Sequence, residues 1–182
     1  MFPPLPSWDG LHPIIIHFPI ALLLVVPVII LIGISVAKGS RSYLLSAFVL
    51  MLLGTIATYI AVSTGGAAGE LAEHVNNVDP VLEQHEELAE TTRTVFTALT
   101  VIFGVIVFAP MVFRKELSRM VLVPLNLAFL VFYGAGAVLL MNTAHQGGRL
   151  VHEFGVRALM TSTPQTTTNT GKQSERTHSD DD

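Results

Sequence analysis

The sequence predicts an all-α membrane protein: a four-helix, up-down-up-down transmembrane bundle with both termini outward. Three observations predict it. Of 182 residues, 51% are hydrophobic and only 13% charged, against about a quarter charged in an ordinary soluble domain. Four apolar runs, at about 14–37, 43–64, 95–113 and 121–144, contain no Lys, Arg, Asp or Glu. Each approaches the ~20 residues that cross ~30 Å of hydrocarbon at 1.5 Å per residue. The connections between the runs differ sharply in charge. Helices are the expected form, because a helix satisfies its own backbone hydrogen bonds in lipid, and strand-like alternation is absent.

The first run follows a start, Met1-Phe-Pro-Pro-Leu-Pro-Ser-Trp-Asp, with no basic residue before it, so a cleaved signal peptide is not expected. Lys38 and Arg41 lie between runs one and two; Arg114, Lys115 and Arg119 lie between runs three and four beside a single Glu116. The connection from run two to run three carries Glu70, Glu73, Asp79, Glu83, Glu86, Glu87 and Glu90, with no basic residue before Arg93. The positive-inside bias puts the basic loops in the cytoplasm and the acidic connection outside. Short loops make neighbouring spans antiparallel. Asp79-Pro80 reads as an N-cap followed by proline at the first helical position, which starts the third helix at Pro80, outside the membrane. One domain is expected over 1–160. The polar stretch 161–182, ending in three aspartates, lacks the apolar surface to fold and is expected to be a disordered tail. No internal repeat stands out. With no cysteine, the chain has neither disulfides nor a covalently attached c-type haem.

Six of the seven histidines fall at one end of this topology. His12 and His17 open run one, His74 follows run two, His85 precedes run three, and His145 and His152 lie at or beyond the end of run four. In helical register His85 shares a face with Leu88, Ala89, Thr92, Phe96 and Leu99, which points it into the bundle. In the fourth helix Gly134, Val138, Met141, His145, Gly148 and His152 advance by steps of four and three, one stripe expected to face a partner helix. Inward histidines on facing helices are a common way to hold a b-type haem. Gly65, Gly66, Gly69, Gly147 and Gly148 offer room for a flat ring, and Arg93, Arg149 and Arg157 stand near enough to pair with propionates. Ligands are drawn from His17, His85 and His145, then His152, His12 and His74. One haem is the safer count, with two conceivable. A second reading is a divalent Zn, Cu or Fe site from these histidines with Glu70 or Glu73. A third is a structural subunit with no ligand.

The segment Leu11-His-Pro-Ile-Ile-Ile-His-Phe-Pro-Ile-Ala-Leu22 and the later Gly147-Gly148-Arg149-Leu150-Val151-His152-Glu153-Phe154-Gly155-Val156 resemble a bacterial membrane-protein family catalogued as domain of unknown function 2231. The resemblance covers about residues 11–157. It implies the four-span fold and a role for the outward histidines in haem or metal binding, and no settled activity. In the family pattern the position of His152 is often aromatic, which implies a weaker ligand role there than at His17 or His145. The expected setting is a bacterial inner membrane with the histidine-rich face toward the periplasm. Expected partners are lipid, other subunits of a respiratory complex and a periplasmic electron carrier such as a cytochrome c, with no nucleic acid. No Ser-His-Asp arrangement, nucleotide loop or His-Glu-x-x-His helix supports an enzyme acting on its own.

Overall fold

The computed structural model describes residues 6–36, 38–72, 77–114 and 117–156; the expected tail lies outside the described residues. After a short 3-10 turn at Asp9–Leu11, the chain forms α1 (His12–Ile15), α2 (His17–Ser35), α3 (Ser40–Ala72), α4 (Asp79–Val112) and α5 (Arg119–His152). Pro13 sits in the first turn of α1, where its missing N–H costs nothing. Pro19 cannot donate to the carbonyl of Ile15, and the helix breaks between α1 and α2 at Ile16. Helices α3, α4 and α5 are longer than their apolar stretches. The Gly-rich segment 65–69 continues α3, and α5 runs through Gly147-Gly148 to His152. Helix α4 starts at Asp79, with Val78 as the capping residue and no side-chain cap bond. The aspartate expected to cap from outside thus lies in the first turn, where its charge still opposes the helix dipole.

Four helices are long and apolar enough to cross a membrane. They form two hairpins, α1/α2 with α3 and α4 with α5, packed in the ring order α2–α3–α4–α5. The seam between α3 and α4 is close, and that between α5 and α2 is sparse. The core is one apolar cluster drawn from all four helices, including Leu23, Ile30, Met51, Phe96, Phe103, Phe129 and Tyr133. Its aromatic rings interlock, with Phe103 on Phe129 at 4.8 Å and Phe96 against Tyr133 at 5.5 Å between centroids. Outside this core, large apolar side chains such as Val28, Leu53, Val105 and Phe132 are exposed on every helix. Such faces on all sides suit lipid and not water.

Polar groups inside the bundle go where the backbone or a neighbouring helix needs them. Pro27 lies inside α2, so the carbonyl of Leu23, one turn earlier, loses its helical donor. The Tyr133 hydroxyl of α5 donates to that oxygen at 2.6 Å. Arg119 donates to the carbonyls of Ile34 and Ser35, at 2.8 and 3.5 Å, and so closes the end of α2. Hydroxyl pairs tie α3 to α4, Thr55 with Thr100 at 2.7 Å, and α4 to α5, Thr92 with Thr143 at 2.8 Å. Replacing Tyr133 by Phe orphans the Leu23 carbonyl. The expected loss is about 1–2 kcal/mol in a denaturation midpoint of the detergent-purified protein. The same change made in a Pro27→Ala background, where the helix supplies its own donor, should cost much less, as a double-mutant cycle would read.

Candidate functional site

Helices that outrun their apolar stretches carry polar groups to one end of the bundle, and there two histidines meet. His12 comes from α1 and His85 from α4, one from each hairpin. Their ring centroids are 6.5 Å apart and their planes cross at 79°. Both rings are half-buried. A small second core of Ala72, Val78, Val81, Leu82 and Leu150, with Phe154 and Val156, packs at this same end of the bundle.

The two rings are held in the same way. His12 Nδ1 donates to the carbonyl of Ala61, at 3.0 Å, with Thr64 Oγ1 at 3.2 Å. His85 Nδ1 donates to the carbonyl of Thr143 at 3.0 Å. Each acceptor lies on the second long helix of the histidine's own hairpin. A carbonyl can only accept, so in the neutral ring the proton sits on Nδ1 and Nε2 keeps its lone pair. Neither Nε2 makes a hydrogen bond among the described residues. Four residues after each acceptor is a glycine. A Cβ at Gly65 would meet His12 Cε1 at 2.9 Å, and one at Gly147 would meet His85 Cε1 at 3.0 Å. In a helix the side chain at i+4 flanks the carbonyl of residue i, so only a glycine there lets an imidazole reach that oxygen from the side. The residues Ala61, Gly65, Thr143 and Gly147 are therefore part of the site. Sequence reasoning named the glycines as room for a macrocycle and missed the carbonyls; the sole signal for them was the histidine on the partner helix.

The remaining sequence candidates are placed as follows. His17 is exposed. It stands five residues after His12, about 140° round a helix, so the two cannot share a face. His145 and His152 are also exposed, together with Val138 and Met141 of their stripe. The inward stripe of α5 is instead Tyr133, Gly136, Leu140, Thr143, Gly147 and Leu150, half-buried or buried throughout. Glu70 is exposed, while Glu73, His74 and Arg157 lie outside the described residues. Arg93 pairs with Glu90 at 3.9 Å and lies over the Tyr59 ring. Arg149 pairs with Glu153 at 3.0 Å and donates to Gln146. Among the described residues no three His, Asp or Glu gather as a metal-holding group.

The sequence pattern of the family described as predicted membrane protein (DUF2231) matches residues 9–159. The chain belongs to this family. The matched region of the DUF2231 protein takes in both hairpins and the histidine pair. No curated protein and no solved structure shows significant similarity to the chain.

The glycine contacts give a direct check on the site. Gly65→Ala and Gly147→Ala should each destabilise the protein by about 1–3 kcal/mol, because the ring and the helix must part. Gly66→Ala and Gly148→Ala, which have open space around the new methyl, should be neutral or slightly stabilising in the same melting experiment.

Proposed function

We propose that this DUF2231 protein is a b-type cytochrome-like electron-transfer or anchor subunit of a larger membrane complex, in which His12 and His85 would hold one haem b. The observation that carries the reading is the facing pair of imidazoles, each with Nδ1–H given to a backbone carbonyl and Nε2 uncommitted. A ligating histidine almost always gives its other N–H to a carbonyl, carboxylate or water, which fixes the ring and raises its basicity. The 6.5 Å between ring centroids would allow both rings to be held to one group.

Haem asks the protein for two ligands, whereas zinc asks it for three or four. The described residues bring two histidines together, which would meet the first demand; Glu73 and His74, candidates for the second, lie outside the described residues. When bound, haem iron supplies one-electron exchange. The chain's own residues hold the rings through Ala61 and Thr143, leave them space at Gly65 and Gly147, and pack the apolar cluster of Val78, Leu82 and Leu150 at that end of the bundle. The same end exposes Glu70, Asp79, Glu83, Glu87 and Glu90, a surface that suits a basic electron carrier such as a periplasmic cytochrome c. The charge bias of the loops orients this end outward in a bacterial inner membrane.

The deciding measurement is a reduced-minus-oxidised absorption spectrum of the detergent-purified protein, with metal analysis of the same sample. One equivalent of b-type haem is expected. His12→Ala and His85→Ala should each lose most of it without loss of membrane insertion, while His17→Ala and His145→Ala retain it. Loss on changing His17 or His145 alone would move the ligands to the exposed faces. Stoichiometric zinc, copper or non-haem iron without the bands would replace haem by an ion, and neither signal would leave the pair as a structural clamp.

A further inference from the structure

The other end of the bundle has a feature that the histidine reading does not use. A cavity of about 340 Å³ opens there among the end of α2, the first turn of α3, the last turns of α4 and the start of α5. Its walls are apolar, formed by Leu44, Ile106, Val107, Pro110, Met111 and Leu122. Ser40, Arg41 and Arg119 also line it, and among the described residues no carboxylate does. The Ser40 hydroxyl oxygen is buried and has no hydrogen-bond partner. Arg119 uses one terminal nitrogen on the carbonyls that end α2, which leaves the rest of its donor fork uncommitted. Arg41 makes no ion pair among the described residues. The helix itself adds two more donors, since the first bond into α3 is made by Ser42 N–H to Gly39 O, and the N–H groups of Ser40 and Arg41 precede it.

A cavity lined by two arginines describes a site for an anion, and the apolar walls describe what the anion is attached to. We propose that this cavity binds an anionic phospholipid, its phosphate against Arg41 and Arg119 and an acyl chain along Leu44, Ile106, Pro110 and Met111. Three considerations select a lipid. Guanidinium pairs match phosphate oxygens well. The apolar wall of Leu44, Ile106, Val107 and Met111 suits an acyl chain. The cavity also lies where the apolar runs end, the level of a headgroup, and basic pockets between transmembrane helices are a recurrent lipid-binding device. Free inorganic phosphate shares the headgroup chemistry but leaves the apolar wall uncovered. This inference does not rest on the haem reading and stands or falls separately.

The test is native mass spectrometry of the full chain, stripped of lipid in detergent and titrated with phosphatidylglycerol, with zwitterionic phosphatidylcholine, and with inorganic phosphate alone. One tightly held phosphatidylglycerol is expected, preferred over phosphatidylcholine by about tenfold or more. Arg41→Gln should weaken it by a comparable factor. Lys38→Gln, an exposed basic residue outside the cavity lining, should leave it within about twofold. Equal binding of the two lipids, or equal loss on changing Lys38, would reduce the effect to general surface charge and overturn the proposal. Competition by inorganic phosphate at matched concentration would overturn the lipid assignment. The monodisperse elution of each variant on size exclusion separates lost binding from lost folding.

Discussion

Hydrocarbon offers no water to an unsatisfied backbone group, and that constraint shapes this molecule more than any single contact. It makes the spans helical and makes every interruption of a helix a problem to be solved locally. At Pro27 the missing donor is replaced by the hydroxyl of Tyr133 from across the sparse α2–α5 seam. At the end of α2 the orphan carbonyls are taken by Arg119. Both repairs link α2 to α5, the pair of neighbours with the thinnest packing. Side-chain hydrogen bonds thus close the ring of helices where apolar contact is least. In lipid, where apolar contact between helices has no hydrophobic drive behind it, this is a sensible division of labour.

The histidine pair follows the same logic with a different outcome. Each imidazole borrows a carbonyl from the helix beside it, and each needs a glycine one turn later to reach it. Hairpin α1/α2 with α3 and hairpin α4 with α5 therefore carry one device twice: histidine on the first helix, carbonyl and glycine four apart on the second. No sequence repeat announces it, because the shared element is a spacing of two residues with a partner elsewhere in the chain. Repetition of the device in parallel hairpins brings the two rings toward each other across the seam between the halves. A site built that way depends on both hairpins and on their packing, with Thr92 and Thr143 fixing α4 against α5 beside it.

Spans, connections and the gathering of histidines at one end were legible because they depend on composition and on which loop joins which helix. Direction round each helix was legible only in part. For His85 the inward face was marked by Thr92 and Phe96, a polar and an aromatic residue in register with it. In α5 two stripes obey the same four-and-three spacing, Gly134 to His152 and Tyr133 to Leu150. The lipid-facing stripe is as apolar as the inner one, so hydrophobic periodicity carries no sign there. The useful signal was polarity and size: the inner stripe holds Tyr133 and Thr143, each with a hydrogen-bond partner on a neighbouring helix. His12 was harder to rank, since α1 is a single turn ahead of a break and no periodic pattern extends through it.

A purely structural role for the pair would ask for less than the structure supplies. Threonine hydroxyls already bind α3 to α4 and α4 to α5, and in each pair one hydroxyl also returns a bond to its own helix, Thr100 to Phe96 and Thr143 to Leu139. A histidine used as a clamp spends Nδ1 and leaves an acceptor nitrogen unused on a half-buried ring. Two of them, from different hairpins, stand with ring centroids 6.5 Å apart. Glycines at 65 and 147 then lower the helix propensity of α3 and α5 to admit the rings. Threonine or serine at positions 12 and 85 would offer a donor at lower cost in room. An arrangement that accepts those costs twice is one that the role proposed for the free nitrogens would call for, beyond what the bonded ones hold.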